Sequence, residues 1–279
     1  MVEGENLNRK IMKVTDLKHL LKASGIRPNK SLGQHFLHDE TVIESMLEAA
    51  DVTRSDTVLE VGPGLGVLTS ALVQRAGVVV VYELDPTLAA LIKSQDLPNL
   101  HVETGDALQL PLPPRGTLPY KVVANIPYSI TGALIRRLIT PPSSPSSITL
   151  LVQREVAERI CAQPGKMSVL AVAVQLRGIP KIARIVPPES FYPEPKVDSA
   201  VVHVDLSGGL ALDVEERDFM RLVKFGFAQK RKQLKNTLAA GLRVEPAAVE
   251  SMLVSADLSS RARAQELSLK SWKKLYDAL

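Results

Sequence analysis

The chain of 279 residues is 45% hydrophobic and 23% charged, with a formal net charge of +4. This is a folding composition rather than a disordered one, and no apolar run approaches the ~20 residues that a helical membrane span requires. A single cysteine, Cys161, excludes an internal disulfide or a cysteine-based zinc cluster, and the five histidines are scattered, so no metal is expected.

Residues 1–30 form a basic extension, carrying Arg9, Lys10, Lys13, Lys18, Lys22, Arg27 and Lys30 against three acids. The extension contains no apolar core of a signal peptide, and a cytoplasmic protein is expected. Within it, residues 14–24 have the spacing of a short amphipathic helix. Residues 39–50 follow as a second helix, with Asp39 as N-cap and Val42, Ile43, Met46 and Leu47 at helical spacing.

From there β and α signals alternate. Strands are predicted at 57–61, 78–82, 100–103, 121–124 and 148–153, and helices at 68–75 and 86–94. That alternation predicts an α/β domain on a mostly parallel, doubly wound sheet. Runs 169–176 and 199–206 read as further strands. Ser207-Gly208-Gly209 then interrupts the pattern, and 215–240, 246–255 and 268–279 look helical. The expected organisation is a sheet domain over 1–206 and a small all-helical domain over 207–279. Lys230, Arg231, Lys232 and Lys235 fall in the first of those last helices. Basic clusters near both ends of the chain suit a phosphate-bearing partner.

The most informative run is Glu60-Val61-Gly62-Pro63-Gly64-Leu65-Gly66, directly after a strand and before a helix. Glycines at 62 and 64 let the backbone turn sharply and approach a bound nucleoside cofactor. A dinucleotide fingerprint would need another glycine or alanine at Val67. Glu60 is placed to accept from a cofactor ammonium or to order the loop. Glu83 closes the next strand, where a carboxylate can take both ribose hydroxyls. Asp106 follows the third strand, where it can accept from an adenine's exocyclic amine. Three acids at three successive strand ends beside that loop point to a nucleoside cofactor without pyrophosphate, and S-adenosylmethionine is the common one.

The fourth strand ends in Asn125-Ile126-Pro127-Tyr128. An adenine amino group is a poor nucleophile, because its lone pair is delocalised into the ring. Asn125 can bind one amino hydrogen and the Ile126 carbonyl another, turning the lone pair toward an electrophilic methyl. Pro127 stiffens the turn, and Tyr128 can stack on the base, a contact worth ~1–3 kcal/mol. Placing two reactants in line can supply roughly 7–11 kcal/mol without a strong general base.

Read in order, further motifs join these. They are Lys30-Ser31-Leu32-Gly33-Gln34-His35-Phe36-Leu37, Glu83-Leu84-Asp85, Gly105-Asp106-Ala107 and Val152-Gln153-Arg154-Glu155-Val156-Ala157-Glu158-Arg159. Phe191-Tyr192-Pro193-Glu194-Pro195-Lys196-Val197-Asp198-Ser199 and Phe227-Ala228-Gln229-Lys230-Arg231-Lys232 complete the set. Over about 26–242 the chain resembles the small-subunit ribosomal RNA adenine dimethyltransferase family, relatives of the erythromycin-resistance methyltransferases and of mitochondrial transcription factor B. The resemblance implies a Rossmann-like class I methyltransferase sheet with a small C-terminal helical domain, and S-adenosyl-L-methionine as cofactor. It implies transfer of two methyls to each of two adjacent adenosines near the 3′ end of small-subunit rRNA.

By position it implies cofactor contacts at His35, Leu37, Gly62, Glu83, Asp106 and Asn125. It also implies a second aromatic, Phe191, facing the target base opposite Tyr128; the residues alone favour a core aromatic there. A monomer acting on a partly assembled small subunit is implied as well. The chain departs from the family pattern in having Ile126 for leucine, Ser129 for asparagine, His35 where many relatives have asparagine, and no tyrosine before Gly165. A large-subunit adenine target, a non-catalytic assembly or transcription factor, and a small-molecule or protein methyltransferase stay open at this point.

Overall fold

A computed structural model of the chain describes Leu17, Leu21, Pro28 and residues 34–140, 142–229 and 231–279. Of the helix predicted over 14–24, Leu17 and Leu21 are described. Both are buried and pack with Phe36, Leu65 and Leu88. The basic side chains Arg9, Lys10, Lys13, Lys18, Lys22, Arg27 and Lys30 lie outside the described residues.

A short strand β1 (Phe36–Leu37) precedes helix α1 (Glu40–Ala50), which Asp39 caps by accepting from the Thr41 N–H at 2.9 Å. The alternating part follows as β2 (Thr57–Val61), α2 (Val67–Arg75), β3 (Val78–Glu83), α3 (Pro86–Lys93) and β4 (Leu100–Thr104). It continues as β5 (Lys121–Asn125), α4 (Thr131–Leu138), β6 (Ser147–Gln153), α5 (Arg154–Ile160), α6 (Val169–Arg177), β7 (Ile179–Val186), β8 (Phe191–Tyr192) and β9 (Ser199–Asp205). Seven strands form one sheet in the order β4-β3-β2-β5-β6-β9-β7; β1 and β8 make a separate antiparallel pair. The first five strands of the large sheet run parallel, and β9 lies antiparallel between β6 and β7.

Both faces of the sheet are covered, which is why its central strands read as unbroken apolar runs. Leu59, Val80, Val122 and Leu150 point into one layer with α4 and α5. Val58, Val79, Val123 and Leu151 point into the other with α1 and α2. Each side chain fully buried this way stabilises the fold by roughly 1.5–3 kcal/mol relative to exposure.

The run at 169–176 is a helix, not the strand expected. The Ser168 hydroxyl caps it by accepting from the Ala171 N–H at 3.1 Å. Val174 packs into the sheet's core while Ala171, Val172 and Leu176 pack into the C-terminal one. A helix buried on two sides carries no polar stripe, so its sequence shows no helical period. The helix expected over 215–240 is two, α7 (Glu216–Gly226) and α8 (Leu234–Leu242), followed by α9 (Pro246–Ser255) and α10 (Leu269–Asp277). The chain turns after Gly226, where a β-carbon would come within 2.4 Å of the buried Trp272 ring. Arg231 and Lys232 therefore stand in a turn between helices rather than in a helix, and Lys230 lies outside the described residues. The break at 207–209 follows the last strand directly. The C-terminal core nevertheless begins earlier, in α6 and the loop before it, with Ala162 and Met167.

Strand β7 was not expected from sequence. It is an edge strand holding Pro180, and it leaves Ile179 76% exposed. An edge tolerates the proline that a central strand would reject. Among the described residues no helix is long and apolar enough to cross a membrane.

Candidate cofactor cleft and target-base site

The strand order reverses between β2 and β5. Such a switch point opens a crevice at the carboxyl ends of the strands, and the informative motifs both lie there. The glycine loop leaves β2 and the tetrapeptide leaves β5. The cleft between them is lined by residues of both, with His35 and Leu37 across from them and Glu83 at its side.

Gly62 and Gly64 adopt φ of +67° and +58°, in the left-handed region that favours glycine. A β-carbon on Gly64 would lie 2.9 Å from the Phe36 ring, and one on Gly62 would lie 3.4 Å from the Pro127 ring. A side chain at Gly62 would thus press on the tetrapeptide, and one at Gly64 on Phe36. Glu83 braces the loop: one carboxylate oxygen accepts from the Gly64 N–H at 3.3 Å and the other from the Asp85 N–H at 2.9 Å. Burial pushes the Glu83 carboxyl above the usual range, and those two donors act against the shift.

Glu60 is also part of the lining. It is fully buried, and its Oε2 has no partner among the described residues. Burial pushes its carboxyl up to about 8, with the nearby Thr69 hydroxyl acting against the shift and the Glu83 charge adding to it. A buried carboxyl oxygen left without a partner beside a cleft can accept a hydrogen bond from a ligand amino or ammonium group, and the apolar Leu65 and Leu88 in the same lining suit a flat ring. These residues fit a nucleoside that carries an amino-acid moiety.

The tetrapeptide follows from its position. Asn125 ends β5, Ile126 is buried, and Tyr128 opens a single 3-10 turn, Tyr128–Ile130. The Asn125 side-chain nitrogen donates to the His35 main-chain carbonyl at 3.2 Å, which directs its amide oxygen away from that carbonyl. The Tyr128 ring stacks on the His35 ring, with centroids 5.7 Å apart and planes at 27°. His35 Nδ1 lies 2.6 Å from the Pro193 carbonyl. A carbonyl can only accept, so Nδ1 carries the proton. The histidine side chain therefore serves the tyrosine wall, a role that its position in a loop motif did not reveal.

Three expected site residues stand elsewhere. Phe191 is 1% exposed and packs with Leu37, Ile43 and Met46; it does not line the cleft. The β1–β8 pairing, Leu37 opposite Phe191, draws its ring into that core, so the expected second base-facing aromatic is corrected to a core residue. Asp106 reaches the C-terminal side of β4 as expected but is exposed and outside the cleft lining, and its carboxylate accepts from the Leu108 N–H at 2.8 Å. Lys235 is not a free surface cation; it pairs with Glu250 at 3.1 Å.

Sequence reading also passed over a second, basic groove. Gly132 and Arg136 of α4 line one side, and Arg159 and Lys166 lie along it. Met220 and Lys224 of α7, with Phe227, line the other. Glu216, its one acid, is already engaged by the Arg177 guanidinium. Because α4 follows the Tyr128 turn directly, the groove's Gly132 stands four residues after Tyr128 in the chain. Nothing in the spacing of these cations could have signalled it, because they come from four separated segments.

Residues 25–279 match the family described as ribosomal RNA adenine dimethylase. The ribosomal RNA small subunit methyltransferase A of Dehalococcoides mccartyi is 41% identical over 263 residues, covering 92% of this chain and 90% of the relative. That of Desulfitobacterium hafniense is 37% identical, covering 100% and 98%. Among solved structures, the 23S rRNA methyltransferase ErmE superposes with a TM-score of 0.72 at 30% identity, over 88% of this chain and 99% of that one. A dimethyladenosine transferase from Plasmodium falciparum gives a TM-score of 0.73 at 25% identity, over 86% and 96%. With matches of this extent on a cleft that holds both motifs, the chain belongs to the ribosomal RNA adenine dimethylase family.

Proposed function

We propose that the chain is an S-adenosyl-L-methionine-dependent rRNA adenine N6,N6-dimethyltransferase, acting on two adjacent adenosines near the 3′ end of small-subunit rRNA during ribosome biogenesis. The observation that carries this reading is the position of Asn125. It stands at the C-terminal end of β5 beside the glycine loop, its amide nitrogen engaged by His35 and its oxygen left to accept. Relatives named as small-subunit methyltransferases, at 34–41% identity over most of the chain, support the small-subunit target.

When bound, the cofactor supplies an electrophilic methyl group on a sulfonium. The chain's own residues do the rest. Glu83 would take the ribose hydroxyls, Glu60 the ammonium, and the backbone at Gly62 and Gly64 allows close approach. Asp106, exposed at the next strand end outside the cleft lining, is the candidate acceptor for the adenine amine of a cofactor that extends past Glu83. Asn125 and the Ile126 carbonyl accept from the target amino group, so that its lone pair is held toward the methyl. Tyr128 stacks on the base. The target adenine must leave its stack to reach this point, so unpaired loop adenines are the natural substrate.

The RNA path in this reading is the basic groove. Arg136, Arg159, Lys166 and Lys224 make no ion pair with a described residue and can meet phosphates, while Phe227 and Met220 give an apolar floor. Exposed Arg231 and Lys232 extend it beyond Phe227. In this reading the chain works as a monomer in the cytoplasm on a partly assembled small subunit.

The test is transfer of tritiated methyl from S-adenosylmethionine to unmethylated small and large ribosomal subunits, with nucleoside analysis of the product. Dimethyladenosine in the small subunit alone supports the proposal. Label in the large subunit would instead favour the activity named for ErmE, and label in neither would leave a non-catalytic assembly role.

A further inference from the structure

Tyr128 is held at two points, one of them on a segment that the proposed chemistry does not otherwise use. Its ring stacks on His35, and its hydroxyl lies 2.7 Å from Ser199 Oγ. Ser199 is fully buried as the first residue of β9. It faces Gln153 of β6 on one side and Val186 of β7 on the other, so strand pairing on both sides keeps its backbone in place. Asp198, just before it, is tied down as well. Its carbonyl accepts from the Arg154 N–H at 3.0 Å, and its carboxylate meets the Arg154 guanidinium at 3.3 Å.

The run from Pro193 to Ser199 thus reaches the tyrosine twice: Pro193 through His35, and Ser199 directly. Tyr128 itself has little local support, since a single 3-10 turn does not fix side-chain torsions. A half-buried phenol without a partner bears the cost of an unmade hydrogen bond and would turn toward water. Burial also raises its pKa, so the hydroxyl stays protonated and can donate to Ser199. The His35 ring stacks against the Tyr128 ring, and Tyr128 lines the cleft.

We propose that Ser199 is a positioning residue for methyl transfer: its hydroxyl sets the inclination of the Tyr128 ring, so that the target adenine stacks with its amino group at Asn125. This rests on the reading of residues 125–128 as the target-base site.

The experiment compares Ser199→Ala, Tyr128→Phe and the double variant, with Tyr128→Ala as reference. It measures single-turnover methyl transfer to unmethylated small subunits, KM for the subunits, cofactor Kd by equilibrium dialysis, and Tm. Each single variant should lose about tenfold in rate, and the double no more than Tyr128→Phe alone, because both remove one bond. KM and cofactor Kd should stay within about twofold, a split that general loosening of the fold would not give. Additive losses in the double variant, or a wild-type rate in Ser199→Ala, would overturn the proposal. If Ser199→Ala lowers Tm sharply, Tyr128→Phe carries the test, and a wild-type rate there overturns it. A wild-type rate in Tyr128→Ala would remove the base-site reading itself, whereas loss in Tyr128→Ala with Ser199→Ala unchanged would remove only the positioning role.

Discussion

Glu83 accepts from the Gly64 N–H at 3.3 Å, so the carboxylate that ends β3 holds the glycine loop that begins after β2. The same side chain accepts from the Asp85 N–H at 2.9 Å. One residue therefore shapes the loop and offers a carboxylate to the cleft. Glu83→Ala should raise the Kd for S-adenosylmethionine by at least about tenfold and lower stability by about 1–3 kcal/mol, the scale of two net hydrogen bonds. Equilibrium dialysis and urea unfolding measure the two effects. A variant that lost stability but bound cofactor normally would confine Glu83 to bracing the loop.

Asn125→Ala removes the acceptor while leaving the glycine loop and Glu83 in place. Methyl transfer should fall about 10²–10³-fold, the scale of deleting one aimed hydrogen-bonding group from a catalytic site. Cofactor affinity should change by no more than about threefold. Single-turnover kinetics decide the matter, and near-normal turnover would show that the amide does not orient the target nitrogen.

Glu60 makes stability depend on pH in a definite direction. Its folded-state pKa of about 8 lies above the ~4.3 of an unfolded glutamate, so between these values the native protein holds a proton that the unfolded chain has lost. The stability contributed by the neutral carboxyl is complete below the unfolded value and is lost as pH rises through the folded one. Glu60→Gln cannot ionise, so its stability relative to wild type should improve steadily from about pH 5 to about pH 8. Urea unfolding across that range tests this, and parallel curves for the two proteins would contradict it.

Removing charge from the basic groove should weaken RNA binding in a salt-dependent way. Substituting Arg136, Arg159 and Lys224 together by glutamine should lower the slope of log K against log salt by about 0.7 for each single-strand phosphate no longer neutralised by the protein. Lys235→Gln should have a smaller effect, because Lys235 already pairs with Glu250. Filter binding to small-subunit rRNA at several salt concentrations distinguishes the two, and equal effects would place the RNA path along α8.

What could be read from sequence was whatever rests on local patterns. The strands 57–61, 78–82, 100–103, 121–124 and 148–153 reappear within a residue or two, because parallel strands buried on both faces announce themselves as apolar runs between turn residues. The glycine loop, Glu83 and Asn125-Ile126-Pro127-Tyr128 stood out because of their residue types next to strand ends, and the structure sets them around one cleft. Elements whose character depends on distant neighbours were misread. Helix α6 has no polar face because two cores enclose it, and β7 carries a proline because it lies at an edge.

Amino-acid order by itself determined an α/β sheet with a glycine loop, strand-end acids and an amide-proline-aromatic turn, because spacing and residue type suffice for these. Only the tertiary structure decided which of the named residues meet. The reversal of strand order between β2 and β5 sets the loop beside Pro127, while the β1–β8 pairing draws Phe191 into the core. It set His35 and Ser199 on Tyr128 and assembled Arg136, Arg159, Lys166 and Lys224 into one groove. Such contacts join residues from separated segments, and no local propensity encodes them; they follow from how buried faces pack.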